Sequence, residues 1–158
     1  MKKRFTAGMM SAALMAGMAL PVNAAATDSK TMELTASVES KFTLTIPAAT
    51  AITYNETSTD LNGTLKVTGN VLPTQKVTVT ATANPLKNSA QNAELPYKLM
   101  NGTNGFTSAD WSETELRAAT PKELSLSVAI TEDDWKAAKA GAYTGSIVFT
   151  AELVTEQP

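Results

Sequence analysis

Apolar and polar residues alternate with a period of two along most of the chain after residue 30. The pattern is clearest over 76–83, where Val77, Val79, Ala81 and Ala83 are apolar and Thr or Lys occupies every position between them. Successive side chains of a strand point to opposite faces of the sheet, so this pattern predicts a strand with one buried face.

Other segments carry similar patterns and predict a series of short strands. They lie at 31–38, 42–46, around Ile52 and Tyr54, from Leu65 onward, and at 95–99, 124–130 and 147–153. Polar residues predict loops at 55–63 and 84–94, and turn dipeptides occur at Asn62-Gly63 and Asn101-Gly102. Residues 103–121 are expected to be irregular, with one helical turn at 112–115.

One segment, TEDDWKAAKAG at 131–141, predicts a short helix. Thr131 can cap its first turn, Asp134 follows three residues later, and Gly141 can end it. The whole series gives seven or eight strands at regular spacing. We therefore predict an all-β fold, an antiparallel β-sandwich of the immunoglobulin type over residues 41–158, with a barrel as the alternative.

The first 24 residues have the pattern of a secretory signal peptide. Lys2, Lys3 and Arg4 precede an apolar stretch at 7–20, and Val22-Asn23-Ala24 is a small-x-Ala cleavage site. Removal of this segment lowers the basic residues from 13 to 10 against 15 acidic ones, so the net charge changes from −2 to −5. An acidic chain without a basic cluster is not expected to bind nucleic acid or an anionic membrane.

The composition also limits the chemistry that the chain can perform. It contains no Cys and no His, which excludes a Ser-His-Asp or Cys-His apparatus and a zinc site built on those ligands. We expect no catalytic residues, no metal site and no cofactor. A secreted domain without disulfides must be stabilised by its core or by its neighbours.

Three groups of side chains are candidate ligand sites. Glu132, Asp133 and Asp134 could bind calcium, but carboxylates are also favoured at a helix N-terminus. Glu113 and Glu115 could suggest glycosidase carboxylates, but no partner group is evident. Five aromatic residues could stack on carbohydrate or could belong to the core and its rim: Tyr54, Tyr97, Trp111, Trp135 and Tyr143.

Both ends of the mature chain resemble a known family. TMELTASVES (31–40) and AGAYTGSIVFTAEL (140–153) resemble the first and last strands of alpha-clade chaperone–usher pilins of the colonisation-factor antigen I type. LKVTGNVLPTQKVTVTATANPL (65–86) is more faintly similar. The polar tail TEQP (155–158) and the middle loops depart from the family pattern.

This resemblance implies an immunoglobulin-like sandwich that lacks its last strand. In the family, a periplasmic chaperone fills the gap, and an outer-membrane usher replaces it with the N-terminal segment of the next subunit. Residues 25–40 would be that donor segment. The implied donor side chains are Met32, Leu34, Ala36 and Val38, and the implied groove and terminal strand consists of Ile147, Phe149, Ala151 and Leu153.

The resemblance predicts a shaft subunit of a bacterial surface fimbrium, exported through the periplasm and active in adhesion, with no host receptor identified. Its predicted partners are neighbouring pilin subunits, the chaperone and the usher. Alternatively, residues 31–38 fold back as the first strand of a self-complete secreted sandwich that binds carbohydrate or protein. An enzyme is the third alternative. The alternating pattern reports a buried face but not which chain buries it.

Overall fold

A computed structural model describes residues 30–156. The predicted signal peptide at 1–24 and the first part of the predicted donor segment at 25–40 lie outside the described residues. The strands are β1 (Lys41–Thr45), β2 (Ser58–Asn70), β3 (Gln75–Ala83), β4 (Leu86–Asn88), β5 (Ala93–Leu95), β6 (Lys98–Asn101), β7 (Asn104–Gly105), β8 (Ser108–Ser112), β9 (Glu123–Ala129) and β10 (Ile147–Thr155). The helices are α1 (Glu113–Leu116) and α2 (Glu132–Ala137).

The strands form two principal antiparallel sheets. One has the order β1-β2-β9-β6-β7, and the other has the order β10-β3-β8. A separate hairpin pairs β4 with β5. This architecture confirms the predicted all-β sandwich.

The main core consists of alternate residues of the long strands. Leu65 and Val67 of β2 and Val77 and Val79 of β3 are fully buried, together with Trp111 of β8. Each such aliphatic side chain stabilises the fold by about 1.5–3 kcal/mol. The indole nitrogen of Trp111 donates to the carbonyl of Lys122 at 3.1 Å, so its polar atom is satisfied in the core.

A second apolar cluster covers one end of the sandwich. It consists of Leu95, Val128, Ile130 and Trp135, and the Trp135 indole nitrogen donates to the Glu56 carbonyl at 2.8 Å. Trp135 belongs to α2, which Thr131 caps by accepting from the Asp134 amide. The predicted helix and its cap are therefore confirmed, but it ends at Ala137 rather than at Gly141.

The predictions for 52–63 were wrong in two respects. The polar stretch predicted as a loop is largely the first half of β2, and Asn62-Gly63 lies within that strand. Gly63 has φ +98°, and the register with β9 shifts between Asp60 and Thr64, so the turn dipeptide is accommodated as a bulge. The strand predicted around Ile52 and Tyr54 is absent, and these residues lie in the β1–β2 connection.

Two other segments contain more structure than the sequence indicated. The predicted loop at 84–94 contains β4 and most of β5, and the irregular segment at 103–121 contains β7, β8 and α1. Short strands escape a periodicity argument because two to five residues give too few alternations. The helical turn predicted at 112–115 is confirmed, with a capping box between Ser112 and Glu115.

The strand directions define two ends of the sandwich. The basal end contains Ser40, the β2–β3 turn at 71–74 and the last residues of β10, because Lys41 pairs with Asn70 and Thr155 pairs with Gln75. The apical end contains the β1–β2 connection, α2 and the segment 138–146 before β10. Within residues 30–156, no helix is both long enough and apolar enough to cross a membrane.

We predict that Gly69→Ala separates β1 from β2. A Cβ atom at this position would lie 2.4 Å from the Lys41 carbonyl oxygen and 2.7 Å from the Phe42 Cα, both backbone atoms. We expect a loss of about 1–3 kcal/mol in the free energy of unfolding, measured by circular dichroism in urea. Gly105→Ala is the matched control, since nothing lies within 4 Å of its Cβ position. Equal stabilities of the two variants would contradict the prediction.

Candidate functional site

Two neighbouring edges of the sandwich carry no strand partner on their outer side. Among the described residues, β1 forms a ladder only with β2, and β10 forms one only with β3. The β10 edge is nine residues long, about 30 Å. Such a row of unsatisfied amide and carbonyl groups is a template for another strand.

The two edge strands run in opposite directions across the gap. At the basal end, the Ser40 hydroxyl donates to the Gln75 side-chain oxygen at 2.7 Å, beside the end of β10. At the apical end, Ile46 just after β1 lines the same cavity as Ile147 at the start of β10. A strand inserted between them would be antiparallel to one and parallel to the other.

The gap between these strands is an apolar groove, here called the edge groove. Phe42 and Leu44 of β1 and Ile147, Phe149 and Ala151 of β10 define it. All five contact the main core, yet each remains only partly buried. Apolar side chains of the core are therefore partly open to solvent between two strands that have no partner on this side.

Two cavities continue the edge groove at the apical end. The first, of 280 Å³, is lined by Ile46, Ile147 and Phe149. The second, of 790 Å³ and here called the apical cavity, shares Ile52 and Leu86 with the first. The other principal walls of the apical cavity are Tyr54, Leu95, Trp135 and Tyr143.

The segment 138–146, which forms one wall of the apical cavity, is fixed by polar contacts. Asn88 is 2% exposed, and its amide nitrogen donates to the Ala140 carbonyl at 3.5 Å. The Asn88 side-chain oxygen accepts from the Gln91 amide. Lys87 and Thr144 exchange two backbone hydrogen bonds at 2.8 and 3.0 Å. This support was not predicted from the sequence, because Asn88 falls within the predicted loop at 84–94.

The four predicted donor side chains lie outside any strand. Residues 31–39 are all exposed, and Met32, Leu34 and Val38 are 77%, 84% and 76% exposed. Ala36 is exposed as well. Exposed large apolar side chains at alternate positions are unusual in a soluble chain, and such patches mark contact surfaces.

The four predicted groove residues lie along β10, on one face. Ile147, Phe149 and Ala151 line the edge groove, whereas Leu153 is 38% exposed near the basal end. The opposite wall, Phe42 and Leu44, was predicted only as part of a strand. Alternation in β1 indicated its buried face, but the pairing that makes it an edge beside β10 depends on sheet order, which periodicity does not encode.

The aromatic residues considered as a stacking surface are divided between core and rim. Trp111 is fully buried and Trp135 is 9% exposed, so neither indole presents an open face. Tyr54 is 71% exposed, and its ring packs edge-on against Trp135 with centroids 5.5 Å apart. The Tyr143 hydroxyl accepts from the Lys139 amide and donates to the Lys139 carbonyl, both at 3.0 Å.

The acidic residues considered as ligands have local partners. The Asp134 carboxylate accepts from the Thr131 hydroxyl at 2.5 Å, and the Lys136 ammonium lies 3.4 Å from Glu132 and 3.5 Å from Asp133. Glu113 pairs with Arg117 at 2.9 Å, while Glu115 accepts from the Ser112 amide. Within residues 30–156, no three or more His, Cys, Asp or Glu side chains are grouped so that they could hold a metal ion.

The shifted pKa values reflect local pairing and burial. A hydrogen bond from Lys76 lowers the pKa of Asp110, and the reciprocal contact raises the pKa of Lys76. Accepting from the Ser112 amide lowers the pKa of Glu115. Burial raises the pKa of Tyr97, which lines the 280 Å³ cavity beside Ile147. The Lys76 ammonium also contacts Glu156 at 3.5 Å, which ties the segment after β10 to β3.

Searches against protein-family models, curated protein sequences and solved structures give no significant match. The pilin resemblance therefore rests on the residues of the two chain ends quoted above.

We predict that Gly141→Ala displaces the wall of the apical cavity. Gly141 has φ +139°, and a Cβ atom there would lie 2.5 Å from the Asn88 amide nitrogen. We expect a loss of at least about 2 kcal/mol in urea unfolding. Gly102→Ala is the control, since it also has positive φ but an empty surrounding, and it should lose about 1 kcal/mol. A smaller loss for Gly141→Ala than for the control would contradict this assignment.

Proposed function

We propose that this protein is a structural subunit of a surface fimbrium, joined to its neighbours by donor-strand exchange. The observation that carries the proposal is the coexistence, in one chain, of an open apolar edge groove and an exposed alternating apolar segment. The segment of one copy would fill the groove of the next. Each copy then donates one strand and receives one, so the contact is head-to-tail and propagates as a filament.

The turn needed for pairing within one chain disfavours a self-complete sandwich. If 31–38 folded back beside β1, only Glu39 and Ser40 would connect the two strands. Two-residue hairpin loops require positive φ at one or both positions, which Gly and Asn adopt readily. Positive φ costs Glu or Ser about 1–2 kcal/mol each. In addition, the Ser40 hydroxyl already donates a hydrogen bond to the Gln75 side-chain oxygen.

Side-chain sizes also favour one direction of insertion. Antiparallel to β10, with Val38 opposite Ile147, the segment would place Leu34 opposite Ala151 and Ala36 opposite Phe149. Leu34 and Phe149 then each face an alanine, which favours close packing. A segment folded back on its own β1 would be parallel to β10. Leu34 would then face Phe149, and Ala36 would face Ala151, which leaves one crowded and one empty position.

An unpaired strand edge tends to aggregate, and this tendency suggests which partners the subunit needs before and during assembly. An unfilled groove would aggregate, so a chaperone that supplies a temporary strand and an usher that exchanges it are the partners we propose. The predicted signal peptide supports export to the periplasm and assembly on the cell surface. We propose a role in the shaft, with adhesion as the task of the finished fibre and without an enzymatic activity.

The test is to remove residues 25–39 and add back a peptide of residues 31–40. We expect the full mature chain to form ladders in size-exclusion chromatography with light scattering, and the truncated chain to be unstable until the peptide binds. A stable monomeric full chain, together with a truncated chain that the peptide does not rescue, would overturn the proposal.

The alternation of inward-facing and outward-facing side chains along residues 31–38 gives a sharper prediction. Leu34→Asp places a carboxylate in the groove, and we expect the peptide to bind the truncated chain at least about 100-fold more weakly, near 2.7 kcal/mol. Thr35→Asp is the matched control because its side chain would point to solvent, and its affinity should change little. Equal losses for both peptides in calorimetric titration would contradict insertion in this register.

The direction is tested by a double-mutant cycle between peptide and groove. We expect Ala36→Leu in the peptide to weaken binding about tenfold, because it would crowd Phe149, and Phe149→Ala in the groove to relieve that loss. The coupling energy should be at least about 1 kcal/mol. Coupling of Ala36→Leu with Ala151→Gly instead, and none with Phe149→Ala, would indicate the parallel direction.

A further inference from the structure

We propose a second contact between successive subunits, in which Leu72 of the donor subunit seats in the apical cavity of the subunit that receives its strand. The occupant is thus a second copy of this chain. This inference rests on the proposed donor-strand exchange, but it concerns a different surface and can fail independently.

The position of Leu72 next to the donor segment is the first step. Leu72 lies in the β2–β3 turn at the basal end, and its side chain is 53% exposed. The Leu72 amide donates to the Gln75 side-chain oxygen at 3.1 Å, and the Ser40 hydroxyl donates to the same oxygen at 2.7 Å. Leu72 is therefore held directly beside the residue at which the donor segment leaves the sandwich.

The short connection between segment and sandwich is the second step. In the antiparallel register, Val38 lies opposite Ile147, at the apical end of the receiving subunit. Only Glu39 separates Val38 from Ser40, and two residue steps span at most about 7 Å. The basal end of the donor must therefore lie against the apical end of the receiver, with Leu72 facing that surface.

The apical cavity offers apolar surface to an incoming side chain. It has a volume of 790 Å³, and Ile52, Leu86, Leu95 and Trp135 form the apolar and aromatic part of a lining that also includes Thr50 and Lys139. Tyr54 at its rim is 71% exposed although its ring packs on Trp135. A branched aliphatic side chain entering here would remove both itself and Tyr54 from water, which favours association.

Leu72 is the side chain best suited to enter. Among the described residues of the basal end, the other exposed large apolar side chains on the sandwich are Leu153 and Val154, at 38% and 36% exposed. Both are anchored in the β10 ladder, whereas Leu72 projects from a turn. The contact would add a packed junction to the strand insertion and restrict bending between subunits.

Cysteine cross-linking tests the contact, since the chain contains no Cys of its own. The double variant Leu72→Cys/Tyr54→Cys is assembled as full mature chain and treated with a short bismaleimide. We expect covalent ladders at least tenfold more abundant than for the control Leu72→Cys/Ser125→Cys, because Ser125 is an exposed residue of β9 away from the cavity. Each single variant reports unspecific linkage.

The outcomes separate this inference from the proposed function. Assembly with enriched cross-links supports both. Assembly with cross-links no higher than the control overturns the Leu72 contact and leaves donor-strand exchange in place. Failure of the unmodified chain to assemble overturns both.

A charge in the β2–β3 turn gives a second readout. We expect fibres of Leu72→Asp to dissociate about tenfold faster than wild type, whereas fibres of Thr74→Asp, in the same turn, dissociate at nearly the wild-type rate. A free peptide of residues 25–40 has no basal end, so it should bind Leu72→Asp and wild-type chains within twofold. Equal dissociation rates for Leu72→Asp and wild type, or a loss of peptide binding by Leu72→Asp, would overturn the contact.

Discussion

The gap between β1 and β10 is the constraint on which the rest of the structure depends. On the central strands of the two sheets, which are paired on both sides, core residues such as Leu65 and Val79 are completely buried. Along the gap, Phe42 and Phe149 contact the same core but remain partly in water. Apolar surface and unsatisfied backbone groups coincide there, and one additional strand would satisfy both at once.

At the apical end, polar contacts keep a cavity open without loss of the surrounding structure. Trp135 is anchored by a hydrogen bond to Glu56, and the segment 138–146 is tied to Asn88 and to the β4–β5 hairpin through Lys87 and Thr144. These contacts hold the loops apart around the apical cavity without needing a side chain to fill it. A preformed cavity binds at a lower entropic cost than one that must be ordered on contact.

The sequence predicted the parts of the fold that are long and strictly alternating. β3, β9 and β10 lie where the pattern placed them, and α2 begins at its predicted cap. It failed where tertiary contacts outweighed local signals: Asn62-Gly63 forms a bulge within β2, and β8 lies in a segment predicted to be irregular. The strand β10 was predicted, but the position of Phe42 and Leu44 beside it and the apical cavity were not, because a period of two identifies a buried face and not the neighbour that covers it.

The two-residue spacer Glu39-Ser40 links the two proposed contacts energetically. A slip of two residues along the groove would keep every donor side chain facing inward, so parity alone does not exclude it. It would, however, move the basal end of the donor by about 7 Å relative to the apical cavity. Leu72 would then miss its site, and Leu34 would face Phe149 or Leu153 rather than Ala151. A short spacer thus lets an end contact select the register of the strand, which a long flexible linker could not do.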